Sequence, residues 1–138
     1  MDEPQKLVYI AGPYRADTVN GQLKHVRVAE QYALKYWRMG YAVICPHKNT
    51  EHFGGLIEDA HFLAAGKEML SRCDAVFTTT GWRSSEGAKD EVAYAETLSI
   101  PVFHDLLHFR AWLREEESNE DERRDDTEEE ENGNGNSD

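Results

Sequence analysis

Four short apolar runs alternate along the chain with longer segments of helical period. The runs are LVYIA at residues 7–11, AVIC at 42–45, AVFTT at 75–79 and PVF at 101–103. Strands this apolar do not leave one face in water, and their alternation with helices is typical of a parallel sheet covered on both faces. The pattern therefore predicts a small doubly wound α/β fold, Rossmann-like or flavodoxin-like, with a parallel sheet of about four to five strands flanked by helices.

The helical segments carry apolar side chains at the spacing of one helix face. The first, over residues 21–39, ends before Gly40, and two more cover about 56–71 and 84–96. A short last helix is predicted for DLLHFRAWL, residues 105–113. The apolar face of the first helix, which we expect to pack on the sheet, comprises Leu23, Val26, Ala29, Ala33 and Trp37.

In the third helical segment, SSEGAKDEVAYAE, a carboxylate shares the apolar face. Ala88, Ala95 and Leu98 recur at helical spacing, and the same spacing places Glu91 on that face. A buried carboxylate costs several kcal/mol unless it is paired or hydrogen-bonded. Two interpretations stay open: a structural carboxylate satisfied by a tyrosine hydroxyl or backbone amide, and a functional carboxylate in a cleft. Tyr9 in the first strand is either its partner or an ordinary core tyrosine.

Polar, aromatic and glycine residues follow the apolar runs, where doubly wound sheets bind ligands beyond the carboxyl ends of their strands. This composition suits a crevice for a small molecule with some anionic character. Arg15 could pair there with a single phosphate. The spacings of dinucleotide and P-loop motifs do not occur, so we expect no nucleotide cofactor of either kind. The residues concerned are Gly12, Pro13, Tyr14 and Arg15, then Pro46, His47, Lys48 and Asn49, then Gly81, Trp82, Arg83, Ser84 and Ser85.

The remaining motifs give little support for metal or serine chemistry. His104 and His108 have the i, i+4 spacing of a zinc motif, but Asp105 replaces the usual glutamate and no third ligand is evident. We expect no metal, and we interpret Asp105 as an N-terminal helix residue. Because no G-x-S-x-G sequence occurs, Ser84 and Ser85 are expected to bind rather than to attack.

The formal charge of −12 is concentrated at the end of the chain. Residues 115–138 contain 13 acidic and 2 basic side chains, net −11, which leaves residues 1–114 at net −1. The end segment has no aliphatic or aromatic residue, so we predict a folded domain over residues 1–114 and a disordered acidic tail over 115–138. Its charge also argues against a nucleic-acid polymer as partner.

Cysteine usage and hydropathy bear on the compartment. Cys45 and Cys73 lie in or beside apolar runs and do not suggest a disulfide framework, which favours a reducing environment. No apolar run approaches the roughly 18 residues needed to cross a bilayer, and the N-terminus lacks the pattern of a signal peptide. We therefore expect a soluble cytoplasmic protein with no membrane partner.

Four motifs together, VYIAGPYRA, GYAVICPHKNT, RCDAVF and GWRSSEGAKDE, resemble the nucleoside 2-deoxyribosyltransferase superfamily. They are most similar to its small, often phage-encoded branch related to 2′-deoxynucleoside 5′-monophosphate N-glycosidases. The resemblance covers about residues 7–103, and its most specific element is W-x-x-S-x-G-A-x-x-E, from Trp82 to Glu91.

The resemblance implies cleavage of the N-glycosidic bond of a deoxynucleotide or deoxynucleoside, with water or a second base as acceptor. It makes Glu91 the nucleophile that forms a covalent glycosyl-enzyme and Tyr9 the catalytic residue that orients it. It implies no cofactor, and a homodimer or larger homo-oligomer, because related enzymes complete their sites with a neighbouring subunit. Arg15 and Ser85 would hold a 5′-phosphate, and the full substrate-binding set is Gly12, Pro13, Tyr14, Arg15, His47, Trp82, Ser85 and Gly87.

One position departs from the pattern of the superfamily. An aspartate that contacts the base, or assists proton transfer to it, is replaced here by Gly66. Asp59 and Glu68 lie nearby but do not match the motif. An alternative function is therefore a nucleotide-binding sensor or interaction module that kept the pocket and lost catalysis, and a scaffold role for the acidic tail is a third.

Overall fold

The computed structural model describes the backbone of residues 5–133 and the side chains of residues 5–124. The chain divides into two compact units, Met1–His104 and Asp105–Asp138. The first unit contains the sheet, and the second contains one long helix. Among the described residues, no helix is both long and apolar enough to cross a membrane.

The sheet of the first unit has four parallel strands, β1 (Leu7–Ala11), β2 (Ala42–Ile44), β3 (Ala75–Thr78) and β4 (Val102–Phe103), in the order β2-β1-β3-β4. Each strand lies within one of the four apolar runs, so the predicted α/β fold with a parallel sheet is confirmed. Strand order reverses at β1, with β2 on one side and β3 on the other. The carboxyl ends of β1 and β3 therefore form the switch point where such folds bind ligands.

Four helices accompany this sheet: α1 (Val19–Arg38), the short α2 (Pro46–Asn49), α3 (Asp59–Leu70) and α4 (Glu86–Thr97). A 3₁₀ turn over Trp82–Ser84 precedes α4. Thr18 caps α1 by accepting a hydrogen bond from the Gly21 amide at 3.0 Å. Just after α1, Gly40 has φ +94°, a conformation that glycine adopts readily.

The buried face of α1 differs from the predicted one at two positions. Val26, Ala29 and Ala33 are buried as expected, whereas Leu23 and Trp37 are 44% and 52% exposed. Tyr36 is buried instead, and its ring centroid lies 4.0 Å from that of Phe77 on β3. The contact with a large ring of the sheet sets the rotation of the helix, which periodicity alone does not determine.

The second unit contains α5 (Leu106–Gly133). Asp105 Oδ1 accepts a hydrogen bond from the His108 amide at 2.9 Å, which confirms Asp105 as an N-terminal helix residue. The helix continues through residues 115–133, where disorder was predicted, and residues 134–138 lie outside the described part. Glutamate favours helices, and Glu120 precedes Arg124 at the spacing that supports one. The division of the chain at residue 114 stays a prediction.

Candidate active site

Two adjoining cavities open at the carboxyl end of the sheet. The large cavity has a volume of about 640 Å³ and the small cavity about 130 Å³. The loop after β1, the turn before α4 and the first turns of α4 line the large cavity, whereas α3 and the segment after β2 line the small one. Residues that line both are Gly12, Tyr14, Arg15, Leu63 and Glu91.

Helix α4 positions Glu91 at this junction. Ser85 caps the helix by accepting a hydrogen bond from the Ala88 amide at 3.2 Å. Ala88, Val92 and Ala95 are buried, and Glu91 lies at the edge of that face, one turn after Ala88. The carboxylate is therefore held against the sheet while its side chain still lines both cavities.

Tyr9 and Glu91 form a buried polar pair. Tyr9 is fully buried in the central strand, and neither its hydroxyl nor Glu91 Oε2 has a hydrogen bond of standard geometry among the described residues. Burial raises the pKa of Glu91 to about 7, against the opposing effects of the Tyr9 hydroxyl and Lys67. Burial and the charge of Glu91 raise the pKa of Tyr9 well above its ordinary value. The two groups thus influence each other, and Glu91 is about half ionised at neutral pH.

Helix α3 approaches the Tyr9 hydroxyl at Gly66. A Cβ atom at this position would lie 3.0 Å from Tyr9 Oη, closer than most Cβ contacts. Gly66 is buried and lines the small cavity. Gly66 therefore lies directly against the Tyr9 hydroxyl.

The loop after β1 is held by two contacts. A Cβ atom at Gly12 would overlap Thr79 Oγ1, so a side chain there is incompatible with the packing of β1 beside β3. His47 Nε2 lies 3.2 Å from the Gly12 carbonyl oxygen and 3.0 Å from that of Pro13. Two acceptors at Nε2 assign the ring proton to it and leave Nδ1, which is buried without a partner among the described residues, as an acceptor. Burial also lowers the pKa of His47.

Arg15 and the N-terminus of α4 contribute positive groups to the wall of the large cavity, which the carboxyl groups of Glu86, Asp90 and Glu91 also line. Arg15 lines both cavities and forms an ion pair with Asp59, 3.0 Å from guanidinium to carboxylate, with both side chains about 70% exposed. Ser85 and Gly87, at the N-terminus of α4, line the same cavity, and the amides of a helix N-terminus attract anions. This wall can accept a phosphate if Arg15 turns from Asp59 or binds both groups.

The structure brings together most of the predicted site residues. Gly12, Pro13, Tyr14, Arg15, Ser85, Gly87 and Glu91 line the large cavity, and Tyr9 and His47 join the small one. Trp82 lines neither cavity, and its predicted substrate contact is not supported. Its ring stacks on His104, with centroids 4.9 Å apart and planes 4° apart, because the 3₁₀ turn directs it toward the end of β4.

Other lining residues were not predicted. Phe62 and Leu63 on α3 border the small cavity, and His25 on α1 borders the large one, with Nδ1 3.2 Å from the Tyr14 carbonyl oxygen. In the sequence these residues have the spacing of ordinary helix positions. Only the arrangement of the helices in the fold shows that these residues face a cavity.

Comparisons with known proteins give a family and distant similarities to solved structures. No curated protein matches the chain at a significant level. Among solved structures, the chain is similar to a 2-deoxyribosyltransferase from the psychrotolerant bacterium Bacillus psychrosaccharolyticus, described as a biocatalyst for nucleoside synthesis. The identity is 24%, 70% of this chain and 69% of that chain are covered, and the TM-score is 0.48. Residues 6–105 match the family described as Domain of unknown function (DUF7768), and the chain therefore belongs to that family.

Proposed function

We propose that this protein cleaves the N-glycosidic bond of a 2′-deoxynucleoside 5′-monophosphate or deoxynucleoside. One observation carries the proposal: a buried carboxylate, Glu91, lies where two cavities meet and faces the hydroxyl of Tyr9. A substrate with its base in the small cavity and its 5′ group in the large one would place its sugar at this junction. The motif from Trp82 to Glu91, which resembles that of nucleoside 2-deoxyribosyltransferases, gives independent support from the sequence.

In the proposed mechanism, Glu91 in its ionised form attacks C1′ while the base departs. The product is a covalent glycosyl-enzyme with inverted configuration at C1′, and a second attack by water or another base restores the original configuration. Tyr9 is a positioning residue, since its hydroxyl faces the carboxylate from the central strand. A pKa of about 7 leaves a large fraction of Glu91 ionised at neutral pH, and the burial that raises this pKa leaves the carboxylate weakly solvated.

Arg15 and the N-terminus of α4, which both line the large cavity, favour a 5′-phosphate over a free 5′-hydroxyl. Arg15 can form charge-assisted hydrogen bonds with a phosphate, and Ser85 adds a hydroxyl at the N-terminus of α4. The small cavity, which is lined largely by aromatic and aliphatic side chains, is left for the base. By resemblance we also propose a homodimer or larger homo-oligomer, which light scattering on the purified protein would test.

Incubation with deoxynucleosides and their 5′-monophosphates, with and without an acceptor base, tests the proposal. Chromatography should detect free base from at least one substrate, and Glu91→Gln should abolish its release. Glu96→Gln is the matched control, because Glu96 lies on the exposed side of the same helix and lines neither cavity. Release that persists in Glu91→Gln would contradict the role of this residue. Binding without release in the wild type would favour a nucleotide-binding module.

A further inference from the structure

The small cavity offers a departing base no carboxylic acid for proton transfer. Among the described residues that line it, the carboxyl groups are those of Asp59 and Glu91. Asp59 is an exposed carboxylate paired with Arg15 at 3.0 Å, a pair that remains when Arg15 binds the phosphate and Asp59 together, and Glu91 must be ionised to act as the nucleophile. Gly66, on the wall beside Tyr9, contributes no side chain.

The other protic groups that line the small cavity are also unable to donate a proton to the departing base. Tyr9 holds its proton far more tightly than an ordinary phenol. His47 is neutral, its Nε2 proton is directed at the carbonyl oxygens of the loop after β1, and its free Nδ1 is an acceptor. The Thr50 hydroxyl donates to the Pro46 carbonyl oxygen at 3.0 Å. None of these groups can act as a general acid near neutral pH.

This absence matters because a neutral base leaves as an anion unless it is protonated. A positioned general acid typically contributes about 10²–10⁴-fold to such a step. A base that already carries a positive charge needs no acid, since it departs as a neutral molecule.

The charged side chains that line the small cavity are Arg15 and Asp59, which are paired with each other, and Glu91, which has no cation opposite it among the described lining residues. Glu91 Oε2 is buried and makes no hydrogen bond of standard geometry among the described residues, and a buried carboxylate is stabilised by a nearby cation. The rings of Tyr9, Tyr14, His47 and Phe62 line the cavity, and aromatic faces attract cations. A carboxylate and aromatic rings on one small cavity form an environment that is matched to a flat cationic ring.

We propose that the substrate carries a cationic, N-substituted base, such as an N-alkylated purine or a pyridinium ring. This inference rests on the proposed function. A Glu91 oxygen forms a bond to C1′ as the C1′–N bond breaks, and the bonding electron pair neutralises the positive ring. Water then adds to C1′, the Glu91 carboxylate is released, and the remaining proton of the water goes to solvent. The products are a neutral base, the sugar phosphate and one proton.

The test compares 7-methyl-2′-deoxyguanosine 5′-monophosphate with the unmethylated nucleotide, which differs by one methyl group and one charge. After subtraction of the protein-free rate, kcat/KM for the cation should be at least about 100-fold higher. Values of kcat/KM for the two nucleotides within about ten-fold of each other would overturn the inference, because the protein would then be donating a proton to the departing neutral base. Glu96→Gln should behave like the wild type.

Binding to the same pair of nucleotides decides the inference even where no turnover occurs. Calorimetry should show the cation binding about five-fold tighter to the wild type, and Glu91→Gln should remove this preference. Equal affinities in the wild type would overturn the inference. Failure of the proposed function is distinguishable, because it appears as a lack of base release from either nucleotide whichever of the two binds more tightly, whereas failure of the inference appears as equal affinities or similar values of kcat/KM.

Discussion

Glu91→Gln is expected to stabilise the folded protein at alkaline pH. The wild-type carboxyl has a pKa of about 7 in the folded chain, against 4.5 for an ordinary glutamate, because it is buried. Between these two values the folded state binds more protons than the unfolded state, so stability falls as pH rises. The difference is about 2.5 pH units at 1.36 kcal/mol each, or about 3 kcal/mol of stability lost above pH 7. Glutamine does not ionise and avoids this loss.

Urea unfolding of the wild type and Glu91→Gln, followed at pH 4.5 and pH 8, measures the effect. The free energy of unfolding of the variant, relative to the wild type, should increase by about 3 kcal/mol between the two pH values. Glu96→Gln, at an exposed position of the same helix, should stay within about 0.5 kcal/mol of the wild type at both. An equal difference at both pH values would refute the reasoning, since it would mean that the Glu91 carboxyl ionises as it does in the unfolded chain.

Two further predictions concern the groups around Glu91 and Arg15. Tyr9→Phe removes the hydroxyl that lowers the pKa of Glu91. The pH midpoint at which kcat/KM rises should therefore move up by about one pH unit. An unchanged midpoint in the pH–rate profile would contradict the interaction between Tyr9 and Glu91. Asp59→Asn frees Arg15 from its exposed ion pair and should tighten binding of a deoxynucleoside 5′-monophosphate about two- to five-fold by calorimetry. Glu58→Gln, a charge removal at the adjacent position, should have a smaller effect, and equal effects would show that Arg15 is not released by the change.

The fold could be predicted from the sequence because its signals are local. Each apolar run becomes a strand, and the alternation with helices fixes the class of sheet. The rotation of α1 could not be predicted, because the ring contact between Tyr36 and Phe77 joins residues that are far apart in the chain. The long α5 was missed for a different reason. Disorder was predicted from the lack of apolar side chains, although glutamate-rich sequences also favour helices.

The candidate site could be predicted only in part. Helical spacing marked Glu91 as an anomaly, and the position of the loops after β1 and β2 marked Arg15 and His47. Spacing carries no information on which helix faces a given loop, so the ion pair of Arg15 with Asp59 was not foreseen. Nor did it indicate that Gly66 lies against the Tyr9 hydroxyl. The roles of these residues stay predictions.

Direct observation of the glycosyl-enzyme tests the central claim, which is that Glu91 is the nucleophile. The protein is mixed with a 2′-fluorinated substrate analogue that slows the second step, quenched with acid and digested for mass spectrometry. We predict that the sugar phosphate is attached to the peptide that contains Glu91, and that Glu91→Gln carries no such mass. Attachment to a different residue, or release of base with no attached sugar in the wild type, would contradict the account.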